Sequence, residues 1–116
     1  MKIVDKIAMV LLTLLGVVHS SFTFAYAHKG AGAINAAWFL GAGIAFILGG
    51  VMNGVRIARP GDRLLRNASL AGNILLTVFC FAVLHAVGSG ISKAPQVVLV
   101  ISFVVLELIF SVVPRK

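Results

Sequence analysis

Acidic residues are nearly missing from this sequence: Asp and Glu together number 3, against 10 Lys and Arg in 116 residues. Charged residues of both signs make up only 11% of the chain, where an average soluble domain has roughly a quarter. A water-soluble fold of this length would have too little polar surface to cover its apolar residues, so apolar surface must face lipid or partners. Cysteine is also scarce. Cys80 stands alone, which excludes an intrachain disulfide, and a thiol in apolar surroundings is usually inert. No C-x-x-C, H-E-x-x-H or phosphate-binding glycine loop is present, which removes the common metal, redox and nucleotide motifs. A single acid, Glu107, falls inside an apolar run, so no pair of carboxylates is expected within the hydrocarbon. An enzyme is not expected.

Long uncharged stretches take the place of these motifs. Ile7 to His28, Gly30 to Val55 and Asn67 to Ser92 contain no Asp, Glu, Lys or Arg, and Ala94 to Pro114 is broken only by Glu107. Mean hydropathy is +1.10. Each run is close to the ~20 residues a helix needs to cross ~30 Å of hydrocarbon. The short alternating strands of a membrane barrel do not appear. Helices satisfy their own backbone groups in lipid, so the expected fold is all-α: an integral membrane four-helix bundle, up-down-up-down, with helices over about 3–24, 33–57, 64–87 and 95–113. Tyr26, His28 and Lys29 are expected in a short external loop. Arg59-Pro60-Gly61-Asp62 reads as a turn in which Gly61 permits positive φ, and Gly88-Ser89-Gly90 as a helix stop.

The net charge of +7 has a topological meaning. Lys2, Lys6, Arg56, Arg59, Arg63, Arg66, Arg115 and Lys116 fall on one side of a four-span chain, and only Lys29 and Lys93 on the other. By the positive-inside rule both termini are expected in the cytoplasm, in a cytoplasmic or inner membrane, with the basic side against anionic lipid heads and no nucleic acid as partner. Two local patterns are set aside. Lys2, Lys6 and Ala25-Tyr26-Ala27 imitate a cleavable signal peptide, but Asp5 interrupts the basic region. Asn67-Ala68-Ser69 matches a glycosylation sequon on the wrong side.

Small residues recur every fourth position in the second helix: Ala33, Ala37, Gly41, Ala45, Gly49 and Asn53, with Gly50, Gly54 and Ala58 in a row beside them. Such rows let two backbones approach closely, a main source of helix association in lipid. Gly41, Ala45, Gly49, Gly50 and Gly54 are therefore expected at helix contacts, within the chain or with another one. The third helix carries Ser69, Asn73, Thr77 and His85 at multiples of four, with Phe81 between. The first offers Thr13, Gly16 and Ser20. Interhelical hydrogen bonding and a polar pathway are the two readings of these stripes.

Glu107 lies eight residues before Arg115, about 12 Å inside the membrane end at 1.5 Å per residue. Intramembrane carboxylates are rare and point to a functional site by default. A polar cluster of Glu107, Asn53, Asn73, Arg56 and Thr13 is expected, either tying helices together or serving a proton or cation. No cofactor is expected. Haem or metal held by His19, His85 and His28 is disfavoured, since His19 and His85 fall about 20 and 28 Å from the basic end. Two functions compete: a non-enzymatic accessory or scaffold subunit packed against another membrane protein or its own copies, and a small proton- or cation-linked transporter or channel working as a homo-oligomer through Glu107.

Overall fold

The structure, a computed structural model, describes residues 2–28, 32–87 and 95–113. It is an all-helical bundle of α1 (Lys2–His28), α2 (Ala33–Ala58), α3 (Arg63–Val87) and α4 (Pro95–Val112). Neighbours in sequence pack together, and α4 closes the ring against α1. This is the up-down-up-down arrangement, with α1 opposite α3 and α2 opposite α4. The start of α1 and the end of α4 lie at one end together with the α2–α3 connection, here called the terminal end.

Helix boundaries follow local chemistry. α1 runs through Tyr26 and His28, so the backbone of both belongs to the helix and not to the expected loop. Between Gly16 and Gly30 the sequence has neither Gly nor Pro, and no helix-breaking residue falls at the expected end near Phe24. Lys29, Lys93, Gly88-Ser89-Gly90 and residues 114–116 lie outside the described residues. At the other connection the Asp62 N–H donates to the Arg59 carbonyl at 3.1 Å, closing a turn around Pro60 and Gly61. Gly61 does not adopt positive φ there, so the turn uses proline's fixed φ and not glycine's extra freedom. Asp62 caps α3 by accepting the Leu65 N–H at 3.1 Å, as an N-cap aspartate does.

Three helices contain stretches long and apolar enough to cross a membrane: Ile3–Ala25, Asn35–Ala58 and Arg63–His85. α4 is shorter, with an apolar described segment of Val98–Val112. The distribution of side chains is inverted relative to a soluble bundle. Leu14, Phe22, Trp38, Leu48, Leu75 and Leu99 point outward, while Asp5, Asn53, Arg56, Ser69, Asn73 and Glu107 are buried. Lipid, not water, is the solvent that makes this arrangement favourable. Lipid-facing hydroxyls are satisfied locally: Ser21 and Ser102 each donate to the carbonyl four residues back, at 2.8 Å, the usual helical route for such groups.

The buried faces follow spacings of three and four, as in bundles generally. On α1 they are Asp5, Ala8, Leu12 and Gly16. On α2 they are Gly43, Phe46, Gly50 and Asn53; on α3, Ser69, Asn73, Leu76 and Cys80; on α4, Val100, Val104, Glu107 and Ser111. Leu12, Phe46, Leu76, Cys80, Val100 and Val104 form the apolar core, with Ala45 packed beside it. The closest backbone approach is between α1 and α2. A Cβ added at Gly16 would sit 2.7 Å from the Gly43 carbonyl oxygen, and one at Gly43 would sit 2.9 Å from that of Gly16. Gly50 faces Thr13 and the Met9 carbonyl, Gly49 faces the tip of Leu76, and Gly54 meets the Met9 side chain at ordinary contact distance.

At Gly41 the within-chain half of the expectation fails, while a contact with another chain is left untouched. It is outward-facing, and among the described residues a Cβ built on it meets nothing within 4 Å. The reason is geometric. A four-residue step on a helix of 3.6 residues per turn rotates by about 40° beyond a full turn. The row Ala37, Gly41, Ala45, Gly49, Asn53 therefore spirals from the lipid face to the core. The close-packed glycine of this level is Gly43, which the four-spaced row misses.

Candidate functional site

At the terminal end the inward-facing polar groups of all four helices converge on Arg56. Its guanidinium presents five N–H groups in a planar fork, and each has an acceptor. Nε donates to Asn53 Oδ1 at 3.2 Å. Nη1 donates to Asp5 Oδ2 at 3.4 Å and to the Phe110 carbonyl at 3.1 Å. Nη2 donates to Asp5 Oδ1 at 2.7 Å and to Glu107 Oε2 at 3.1 Å. Arg56 is 4% exposed, Asp5 2% and Glu107 0%, so a cation from α2 is held between a carboxylate of α1 and one of α4. Lysine, with three donors on a flexible stem, could not fill this set.

A second layer ties in α3. Asn53 and Asn73 exchange reciprocal amide hydrogen bonds, at 2.9 and 3.0 Å. Asn53 Nδ2 also donates to the Gly49 carbonyl at 2.9 Å, and Ser69 Oγ donates to Asn53 Oδ1 at 2.7 Å. Asn73 Nδ2 further reaches Ser111 Oγ at 2.6 Å and the Glu107 carbonyl at 3.2 Å. Ser111 Oγ donates to that same carbonyl at 2.7 Å. In a low-dielectric interior such connected networks stiffen the groups they join, and an unmade bond becomes expensive. One bond is missing: Glu107 Oε1 is buried and has no hydrogen-bond partner among the described residues.

Four of the five residues expected to cluster do so: Glu107, Asn53, Asn73 and Arg56. Thr13 does not join them. Its hydroxyl donates to the Met9 carbonyl at 2.9 Å, and the side chain packs against Gly50. The polar stripe of α3 contributes Ser69 and Asn73. Thr77 donates to the Asn73 carbonyl at 2.7 Å, whereas Phe81 and His85 face outward, by the same 40° drift that exposes Gly41. Asp5 and Ser111 join unannounced by the sequence reading. The expectation of a single acid at membrane depth is therefore corrected: Asp5 is buried, and it shares Arg56 with Glu107. Asp5 shares the three- and four-residue spacing of Ala8 and Leu12, which was the signal available for it. Ser111 is one helical turn beyond Glu107.

The histidines lie elsewhere. His19 stacks on Phe39 with ring centroids 3.8 Å apart and planes 12° from parallel, and meets Phe46 edge-on at 5.9 Å. His85 faces outward from α3, and the side chain of His28 lies outside the described ones. Among the described residues no three His, Cys, Asp or Glu side chains gather in a metal-binding group. The arrangement at Arg56 can bind and release a proton or fix helices in place; it presents no nucleophile beside a base. No family model matches the chain, nor does any curated protein or solved structure.

Proposed function

We propose that this chain is a small non-enzymatic membrane protein that serves as an accessory or scaffold subunit of a membrane assembly. The carrying observation is the Arg56 cluster: it takes one or more groups from every helix and spends nearly all of its polar chemistry inside the bundle. What remains outside is an apolar surface and a basic rim. Arg59, Arg63 and Arg66 are exposed at the terminal end, which suits anionic lipid heads and, by the excess of basic residues there, a cytoplasmic position for both termini. Cysteines introduced at Gly61 and Gly90 would then label from opposite sides of sealed vesicles, with buried Cys80 silent. Co-purification in mild detergent with mass determination tests the assembly. A defined stoichiometric partner or a defined homo-oligomer supports it, and a chain that purifies alone and monomeric refutes it. The proposal invokes no cofactor, and a visible absorption spectrum of the purified protein tests for haem.

One observation favours a second reading, a small proton- or cation-linked transporter or channel: the free oxygen of Glu107 inside an otherwise bonded cluster. Glu107→Gln keeps the shape and hydrogen-bonding capacity of a protonated glutamate. Under this reading the variant folds but loses flux in proteoliposomes, whereas a scaffold keeps its partner.

A further inference from the structure

We propose that Glu107 is a proton-exchange site, with Oε1 as the atom that takes the proton and Arg56 as a counter-ion shared with Asp5. The inference deepens the second reading above and rests on it only in giving Glu107 a chemical role. Exchange without flux would leave this site standing and remove the transporter.

The geometry is unequal on the two sides of the guanidinium. Asp5 is gripped by both Nη1 and Nη2, whereas Glu107 receives one bond, from an Nη2 that is shared and lies closer to Asp5. Whatever else Asp5 meets, Glu107 has one oxygen bonded and one bare, in a fully buried side chain. Ion pairs in this setting offset their desolvation only when their geometry is good and their remaining lone pairs are satisfied; the Glu107 side of the cluster meets neither condition in full. The groups facing it from each element are few. α1 supplies Asp5 and α2 supplies Arg56. From α3 and α4 come Asn73 and Ser111, which do not titrate and bond to the Glu107 main-chain carbonyl, not to its carboxylate. Lys6 is exposed on α1. Proton uptake at Glu107 therefore changes how Arg56 is shared between Asp5 and Glu107. The proton comes from water at the terminal end, adds to a carboxylate lone pair to give a neutral carboxyl, and leaves by the reverse step. Arg56 keeps its charge throughout and, in the protonated state, belongs to Asp5.

The sequence offers an unusually direct test, because Glu107 is the single glutamate of the chain. Incorporating glutamate carrying ¹³C at its side-chain carboxyl labels this one site in the unmodified protein. NMR of the labelled chain in lipid should show its carboxyl resonance moving, or exchanging in intensity, between acid and carboxylate positions across the pH range in which the bundle stays folded. In Asp5→Asn, where Arg56 is released to Glu107, the same resonance should lie further toward the carboxylate at a given pH. A signal fixed at either position over the whole range would overturn the proposal, as would an Asp5→Asn titration unchanged from that of the parent. A response to sodium at constant pH, with none to pH, would show a cation site and overturn the proton assignment. If Asp5→Asn does not fold, the wild-type titration alone decides.

Discussion

The two ends of the bundle solve the same problem in opposite ways. At the terminal end, Asp5, Asn53, Arg56, Asn73 and Glu107 are buried and bonded to one another, with Glu107 Oε1 the exception among the described residues. Toward the far end, α1 and α2 meet through Gly16 and Gly43 and the His19–Phe39 stack. There, Ser20 Oγ and Thr23 Oγ1 are buried with no hydrogen-bond partner among the described residues. One end is held by specific polar bonds, the other by close backbone packing that tolerates unmade ones. In lipid there is little hydrophobic drive between helices, so contact area and directional bonds are the available forces. The bundle uses each where its residues permit.

The largest expected effect is at Arg56. Removing one member of a buried ion pair leaves uncompensated charge and costs about 3–5 kcal/mol; here two carboxylates lose their partner. Arg56→Ala should lower stability by at least that much in a denaturant titration of the reconstituted protein, while exposed Arg59→Ala should change it by under about 0.5 kcal/mol. Arg56→Lys keeps the charge but not the five-donor fork, and should fall between them. Equal stabilities for Arg56→Ala and Arg59→Ala would erase the distinction between the two ends.

The glycine seam comes next. Gly43→Leu would force a side chain into the Gly16 and Ser20 backbone, and overpacking of this kind costs about 1–3 kcal/mol or more. Gly41→Leu enters open space and should leave the stability of a single chain within about 0.5 kcal/mol. If Gly41→Leu instead disrupts an oligomer while sparing the fold, its row belongs to an interface between chains. Loss of stability in Gly41→Leu with none in Gly43→Leu would reverse the assignment of the packing face.

How much of this was legible in the sequence depends on the range of the signal. Charge-free runs fixed four helices and their order, since span length and backbone satisfaction leave few alternatives. Asn53, Asn73, Arg56 and Glu107 were legible as a cluster because polar groups at one membrane depth have little else to bind. The rotational phase of each helix was harder to read. A four-spaced pattern resembles a face over one or two turns but rotates away over five, so the rows that hold Gly41 and His85 do not keep to one buried face, and Gly43 lies off the row. Asp5 was obscured for another reason. Its neighbours Lys2 and Lys6 made it look like part of a solvated end, and only its three- and four-residue spacing from Ala8 and Leu12 shows that it belongs to the core.

The smallest expected effect tests the far end. A buried hydroxyl without a partner bears a desolvation cost and returns no bond, so removing it while keeping its shape should be neutral or stabilising. Thr23→Val preserves volume and branching, and Ser20→Ala removes one atom beside Gly43. Each should leave stability unchanged or raise it by a few tenths of a kcal/mol, up to about 1. Ser69→Ala makes the matching change at the terminal end, where the hydroxyl bonds Asn53 at 2.7 Å. It should cost about 0.6 kcal/mol, the average for an interhelical hydrogen bond in a membrane. The sign of the difference carries the conclusion, measured in one host under one denaturant so that the reference state is shared. If Thr23→Val and Ser20→Ala both destabilise by as much as Ser69→Ala, their hydroxyls have partners supplied by water, lipid or a second chain. The far end would then be a polar contact in its own right and not a seam of packed backbone.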